Sequence, residues 1–276
     1  MEKWVVTAKK ADFQGIGRKY GIDPVIARII RNRDITGDEA IEEYLNGTLA
    51  DIPSWKLLKD IDKAVEIISG KIDAGTKMRI IGDYDIDGVT ATYILLKGFK
   101  RLGANVDTYI PDRVADGYGI HDHLIKKAME DGIDTIVTCD NGISASSQIT
   151  YAKELGMTVV VTDHHEVPFT DTEEGRTYIL PPADAIINPK QADCTYPNKN
   201  ICGAVVAMKL VFALYEKYRL PEEEKEDFLE PAAIATVGDI MDLQGENRIL
   251  VKEGLKRLKN TRNPGLRELI RVNGLE

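Results

Sequence analysis

The chain has 276 residues, of which 43% are hydrophobic and 29% charged, and its formal net charge is -9. This composition is typical of a globular protein and excludes a disordered chain, and no apolar run approaches the roughly 20 residues of a membrane-spanning helix. The acidic balance argues against binding of nucleic acid through a broadly basic surface, although carboxylates gathered around cations would also lower the charge. The three cysteines form no CxxC pair, which indicates a reducing, cytoplasmic location.

Residues 1–75 have a helical and irregular pattern. Amphipathic spacing predicts helices at 38–45 and 61–72. We expect this N-terminal segment to pack on the core of the protein.

The next part of the chain alternates short apolar runs with helical patterns. The apolar runs predict strands at 78–83, 105–111, 134–140, 157–163 and 184–189. The stretches between them predict helices at 88–103, 120–132 and 144–156. Such alternation predicts an α/β fold, with a doubly wound, mainly parallel sheet and helices on both of its faces.

The chain becomes mainly helical again after residue 188. Helices are predicted at 202–218, 222–240, 247–259 and 264–272. We therefore divide the chain into the N-terminal segment, an α/β domain over 76–260, and a further helix that begins within 261–276.

Acidic side chains follow three of the predicted strands. The first strand leads into Asp83, Asp85 and Asp87, the third ends at Asp140, and the fourth ends in Asp163, His164 and His165. Alternate residues of an extended stretch point the same way, so the first three carboxylates can converge. In open α/β sheets, ligands bind outside the carboxyl ends of the strands, which is where all these residues fall.

Each aspartate taken alone is better explained by capping of the following helix, and each histidine taken alone by a satisfied surface or core residue. Three strands with the same feature favour a metal site, because so many clustered carboxylates would repel one another without a cation. Oxygen ligands with one or two imidazoles suit Mn²⁺ or Mg²⁺, and such sites often hold two ions about 4 Å apart. The sequence therefore favours a hydrolytic site with two metal ions.

Two further stretches fit this hypothesis. The Gly-rich stretch 112–119 carries Arg113, a cation that could meet an anion, although an ordinary turn explains this stretch slightly better. Asp239 lies in an apolar helical pattern, where an unpaired carboxylate would be costly, so a metal or a cation is its expected partner.

Together these residues resemble the DHH phosphoesterase family, which is named after a triplet like Asp163, His164 and His165. The resemblance covers about 55–260 and includes, in order, DYDIDG, DGYG, CDNGIS, TDHHEVP, INP, CGAVVAMKL and VGDIMDLQGENRILVKEGL. Any one of these motifs is weak, but the ordered set is specific. Within the family, the motifs are most similar to those of 5′→3′ exonucleases specific for single strands.

The resemblance implies a role for each residue. The implied metal ligands are Asp83, Asp85, Asp87, Asp140, His164 and Asp239. His165 would meet the scissile phosphate, Asp163 would orient a neighbouring histidine, and Arg113 would lie near the phosphate. The helix beginning after Asn141 and Gly142 would add backbone N–H donors for phosphate. Two Mn²⁺ or Mg²⁺ ions would activate water for attack on phosphorus.

The resemblance also implies partners and a larger protein. We expect a monomer that acts on single-stranded nucleic acid, with DNA favoured, and that works beside a single-strand-binding protein or a helicase. Family enzymes carry a second, C-terminal domain, so we expect 261–276 to begin a linker helix toward a domain that this chain lacks.

Three alternatives stay open at this point. A DHH enzyme could instead degrade very short RNAs or hydrolyse cyclic dinucleotides. The DIDGV stretch also resembles the first motif of haloacid dehalogenase phosphatases, in which Asp85 would be the nucleophile. A catalytically inactive DHH module that binds replication partners is the non-enzymatic alternative.

Overall fold

The computed structural model describes residues 9–172 and 175–275. In these ranges the helices are α1 (Phe13–Tyr20), α2 (Pro24–Asn32), α3 (Asp38–Asn46), α4 (Ile61–Asp73), α5 (Ile86–Arg101), α6 (Asp122–Glu130), α7 (Ser146–Glu154), α8 (Gly203–Lys217), α9 (Leu229–Gly238), α10 (Gly245–Leu258) and α11 (Pro264–Val272). The strands are β1 (Met78–Ile81), β2 (Val106–Tyr109), β3 (Thr135–Cys139), β4 (Thr158–Thr162), β5 (Phe169–Thr172), β6 (Gly175–Tyr178) and β7 (Ala185–Ile187).

The centre of the protein is a parallel sheet with the strand order β2-β1-β3-β4-β7. The chain passes from β1 to β2 on one side and then to β3 on the other, so the strand order switches at β1. Successive strand residues face opposite sides. Ile80 packs in the core formed with α4, α5, α8 and α9, whereas its neighbour Ile81 packs in the core formed with α6 and α7. The predicted doubly wound α/β fold with helices on both faces is confirmed.

An antiparallel hairpin of β5 and β6 follows the Asp-His-His segment. All the residues of both strands are exposed. The sequence analysis did not predict these strands, because strands without a buried face lack the alternating apolar pattern that identifies a strand.

The N-terminal helices divide into two groups. A small core of Ile30, Ile35, Ile41 and Tyr44 joins α2 and α3 and the turn between them. In contrast, α4 packs in the same core as β1. The first eight residues of the predicted segment 1–75 lie outside the described residues, and the proposed domain boundaries stay predictions.

The C-terminal helices also differ in burial. Helix α10 packs along α9, but α11 has no buried residue. In the described part of the chain, no helix combines the length and the apolar character that crossing a membrane requires.

Candidate metal centre

The turn after β1 places its aspartates at the switch in strand order. Asp83 is fully buried, and neither of its carboxylate oxygens has a hydrogen-bond partner. Asp85 caps α5, because its Oδ1 accepts hydrogen bonds from the backbone N–H groups of Asp87 (3.0 Å) and Gly88 (2.9 Å). The capping interpretation is therefore correct for one oxygen of Asp85, while its second oxygen is available to a ligand.

Asp87 meets a second helix. Its Oδ2 and Oδ1 accept hydrogen bonds from the backbone N–H groups of Gly203 (2.6 Å) and Ala204 (2.8 Å), at the start of α8. The positive end of the helix dipole therefore faces this carboxylate. A Cβ at Gly203 would lie 2.8 Å from Cβ of Asp140, so only glycine allows this close approach. The sequence analysis missed Gly203; a glycine at the start of an apolar helix is a signal that could have identified it.

Asp140 follows β3 in an unusual backbone conformation, with a φ of 60°. Aspartate is among the few residues other than glycine that tolerate this left-handed region. Both of its carboxylate oxygens are buried and have no hydrogen-bond partner. Such conformations cost free energy and cluster at functional sites, where they aim a side chain.

Asp163 organises the turn after β4. Its Oδ1 accepts from the backbone N–H groups of His164 (2.7 Å) and His165 (3.1 Å) and lies 2.8 Å from Nδ1 of His165. Its Oδ2 accepts from the backbone N–H of Ile143 (2.9 Å). These contacts fix the ring of His165 and leave its Nε2 for a second partner.

His164 lies at the centre of the acidic cluster. Its Nε2 is 3.1 Å from Asp140 Oδ1, 3.5 Å from Asp87 Oδ2 and 3.6 Å from Asp239 Oδ2. Asp239 lies just beyond the last residue of α9 as its C-cap, not inside the helix, which lets its side chain reach the sheet edge. Among the described residues, neither lysine nor arginine forms an ion pair with these carboxylates.

Three overlapping sets of side chains could hold metal ions, and the ligand atoms of each set lie within 4.8 Å of one another. The sets are Asp83, Asp85 and Asp140; Asp87, His164 and Asp239; and Asp140, His164 and His165. Because Asp140 and His164 each belong to two sets, the cluster fits two neighbouring cations that share ligands. The unpartnered oxygens of Asp83 and Asp140 and the unpartnered Nε2 of His164 are donor atoms of the kind that Mn²⁺ and Mg²⁺ take.

The electrostatics of the cluster also favour a cation. Burial raises the pKa of Asp83, of Asp140 and of Asp239, the last to about 6, and Asp87 raises the pKa of Asp140 further. Burial lowers the pKa of His164, so this imidazole is held in its neutral, ligating form. Burial alone would raise the pKa of Asp163, but the hydrogen bond and the charge of the His165 ring, together with the backbone N–H groups of Ile143 and His165, outweigh burial and lower that pKa. The same hydrogen bond raises the pKa of His165.

The predicted phosphate-binding residues lie around this cluster. The Arg113 guanidinium stacks over the ring of Tyr84 at 5.2 Å and does not contact the carboxylates. Asn141 is buried, and Gly142 has a φ of 109°. A cavity of about 300 Å³ is lined by residues that include Asn141, Gly142 and His165.

Tyr118, which the sequence analysis missed, hydrogen-bonds His165. The distance between its hydroxyl oxygen and Nε2 of His165 is 2.9 Å. A tyrosine between two glycines of the DGYG motif is the signal that could have drawn attention to it.

Comparisons with known proteins agree with this geometry. The chain is 37% identical to the single-stranded-DNA-specific exonuclease RecJ of Bacillus subtilis, over 99% of this chain and 33% of the relative. It is 34% identical to RecJ of Escherichia coli, over 91% of this chain and 43% of the relative. The chain therefore spans about a third to two fifths of the length of these curated relatives.

The chain is also similar to a solved structure, that of RecJ from Thermus thermophilus in complex with Mn²⁺, with a TM-score of 0.74 and 30% sequence identity. The alignment covers 94% of this chain and 35% of the RecJ chain. Residues 77–236 match the N-terminal domain of the DHH family. This match covers more than half of the chain. It confirms the predicted resemblance to the DHH family and goes against the haloacid dehalogenase alternative. The chain belongs to the DHH family.

Proposed function

We propose that this chain forms the catalytic domain of a metal-dependent phosphodiesterase of RecJ type, which hydrolyses single-stranded DNA from the 5′ end. The observation that supports this function most directly is the buried cluster of unpartnered carboxylate oxygens and imidazole nitrogen at the carboxyl edge of the sheet. The relatives named for single-stranded-DNA-specific exonuclease activity support the choice of substrate.

The metal ligands in this proposal are Asp83, Asp85, Asp87, Asp140, His164 and Asp239. They would hold two Mn²⁺ or Mg²⁺ ions, which supply a nucleophilic water near neutral pH and offset charge on the phosphate. The backbone N–H groups at the start of α8 hold the Asp87 carboxylate in place. The burial of His164 lowers the pKa of its imidazole, which favours the neutral form that binds a cation.

The phosphate would be bound by groups beside the metal ligands. His165, anchored by Asp163, would direct a ring N–H from Nε2 at a phosphoryl oxygen. The backbone at Asn141 and Gly142 would add N–H donors, and Arg113 would approach from the exposed loop over Tyr84.

We further propose that the chain is a monomer, located in the cytoplasm, which works beside a single-strand-binding protein or a helicase. The cysteines Cys139, Cys194 and Cys202 are all buried free thiols, which is the state expected in a reducing compartment.

The substitution Asp140→Asn tests the function. Asparagine tolerates the left-handed φ of 60° and keeps the shape of the side chain, so the fold should survive while the charge is lost. We expect cleavage of 5′-phosphorylated single-stranded DNA with Mn²⁺ to fall on the order of a thousandfold, which corresponds to about 4 kcal/mol. Asp107→Asn, at the opposite edge of the sheet, is the control and should keep its activity. Equal activity of both variants and the wild type would contradict the proposal.

Substrate length distinguishes this function from its nearest alternative. The cleavage rate should be measured for DNA and RNA oligonucleotides of two nucleotides and longer. We expect longer DNA oligonucleotides to be cleaved faster than short ones and faster than RNA. A preference for dinucleotides or for very short RNAs would instead assign the chain to the DHH enzymes that act on those substrates.

A further inference from the structure

His165 needs only one partner to fix its ring, yet it has two. Asp163 already anchors Nδ1 at 2.8 Å, and this carboxylate is itself held by the backbone N–H groups of Ile143, His164 and His165. Nδ1 therefore carries the proton shared with Asp163, and Nε2 is the remaining hydrogen-bonding atom of the ring. The Tyr118 hydroxyl forms a hydrogen bond with this atom, and the distance between its oxygen and Nε2 is 2.9 Å.

The segment before Tyr118 is held by Asp112, whose Oδ1 accepts hydrogen bonds from the backbone N–H groups of Val114 and Ala115, both at 2.8 Å. The freedom to move therefore lies at Tyr118 and its flanking glycines. Tyr118 lies between Gly117 (φ of 76°) and Gly119 (φ of 87°), and a Cβ added to either glycine would meet no atom within 4 Å. Val114 in the same loop is 94% exposed, and the Tyr118 side chain is itself exposed. Glycines on both sides allow backbone rotation at Tyr118 that residues with a Cβ would resist.

Besides the contact with His165, Tyr118 contacts one other ring near the site. It meets Tyr84 edge to face, at a centroid distance of 5.9 Å and an interplanar angle of 90°. Tyr84 belongs to the turn between Asp83 and Asp85, and its ring also carries the Arg113 guanidinium. The loop is thus seated directly against the edge of the metal centre.

We propose that Tyr118 is a positioning residue that acts through His165: its hydroxyl occupies Nε2 in the substrate-free site and yields this atom to the phosphate when substrate binds. The inference rests on the proposed function of His165 as a phosphate-binding group. One nitrogen cannot make a full hydrogen bond to a tyrosine hydroxyl and to a phosphoryl oxygen together, so the two compete. Tyr118 therefore weakens the binding of any ligand that must displace it from Nε2, and the glycines on either side permit the displacement.

Tyr118→Phe tests the competition, because it keeps the ring and its contact with Tyr84 but removes the hydroxyl. We expect KM for a 5′-phosphorylated single-stranded oligothymidylate with Mn²⁺ to fall by about two- to tenfold, the value of one net hydrogen bond, with kcat within about twofold of the wild type. The matched control is Tyr178→Phe, on the exposed strand β6, which keeps the hydrogen bond between Tyr118 and His165 and should leave KM as in the wild type. A lower kcat with unchanged KM, or no change in either constant, would overturn the proposal.

A second measurement does not depend on cleavage. In protein loaded with Mg²⁺, which is diamagnetic, the ¹⁵N resonance of His165 Nε2 should move in Tyr118→Phe but not in Tyr178→Phe. Titrated inorganic phosphate should then shift this resonance at an about two- to tenfold lower concentration in Tyr118→Phe than in the wild type. An unmoved resonance, or equal phosphate concentrations, would reject the role of Tyr118. A wild-type protein that cleaves no DNA would reject the proposed function, and the phosphate titration would still decide the competition.

Discussion

The two edges of the central sheet both carry aspartates, but in opposite electrostatic surroundings. At the amino edge, the Arg79 guanidinium, on a side chain only 10% exposed, donates to both oxygens of Asp107 at 2.7 Å and to Asp131 at 3.0 Å. Lys153 likewise binds both oxygens of Asp184, at 2.8 and 2.7 Å. Each of these carboxylates is neutralised by a side chain of the protein.

At the carboxyl edge, the carboxylates face one another and His164 instead. Asp83 and Asp140 have oxygens without hydrogen-bond partners, and their pKa values are raised by burial. Uncompensated buried charge costs several kcal/mol per group unless a cation is supplied. The comparison indicates that the acids of the amino edge stabilise the fold, whereas those of the carboxyl edge are arranged for a ligand.

The largest expected effects concern the two adjacent histidines of the carboxyl edge. His164→Ala should remove a metal ligand, reduce cleavage on the order of a thousandfold, and abolish the rise in Tm that Mn²⁺ produces in the wild type. His165→Ala should keep the rise in Tm but lose roughly a hundred- to a thousandfold in rate, because it removes a donor to the phosphate. Single-turnover cleavage and thermal unfolding with and without Mn²⁺ measure both effects. Loss of the metal response in His165→Ala with retention in His164→Ala would reverse the assignment.

An intermediate effect is expected from Arg79→Met at the amino edge. The substitution removes the hydrogen bonds to Asp107 and Asp131, so we expect the free energy of unfolding to fall by about 1–3 kcal/mol. Cleavage per folded molecule should stay unchanged. Denaturant unfolding measures the loss, and Arg176→Met, which breaks the exposed pair of Arg176 and Asp171, is the control with an expected change below about 0.5 kcal/mol. If Arg79→Met lost activity while fully folded, the conclusion that the acids of the amino edge serve only the stability of the fold would be wrong.

The smallest expected effect is a difference in pH dependence between the edges. Without metal, the raised pKa values of Asp83 and Asp239 mean that their charged forms destabilise the fold, and protonation of Asp239 through its pKa of about 6 relieves part of this cost. Hydrogen bonds from Lys127, together with those from Arg79, lower the pKa of Asp131, so its contribution to stability is present above its ordinary pKa of 3.8 and is lost below it.

Thermal unfolding in a chelator should therefore show a Tm that rises as the pH falls from 7.5 to 5 and then drops below about pH 4. With saturating Mn²⁺ the rise toward pH 5 should disappear, because protons compete with the metal for the same carboxylates. Asp239→Asn should flatten the rise without metal. A Tm that falls steadily from pH 7.5 to 5 in the chelator would contradict the conclusion that the charged carboxylates of the carboxyl edge destabilise the metal-free fold.

The sequence by itself determined the fold class and the content of the site. Apolar runs of strand length between amphipathic helices specified the parallel sheet, because buried strands and helices have different periodicities. Asp83, Asp140 and His164 could be gathered at one edge from sequence alone, since the carboxyl ends of parallel strands share that edge.

Only the tertiary structure decided how these groups are partnered. The backbone N–H groups of Gly203 and Ala204, at the start of α8, donate hydrogen bonds to Asp87. These donors follow Asp87 by 116 and 117 positions in the sequence, so no local sequence pattern connects them with it. The Tyr118 hydroxyl on His165 and the Arg113 guanidinium on Tyr84 are likewise contacts between separate loops. Hydrophobic periodicity records which side of an element is buried, but hydrogen bonds between loops depend on distances that the packing of the whole sheet sets.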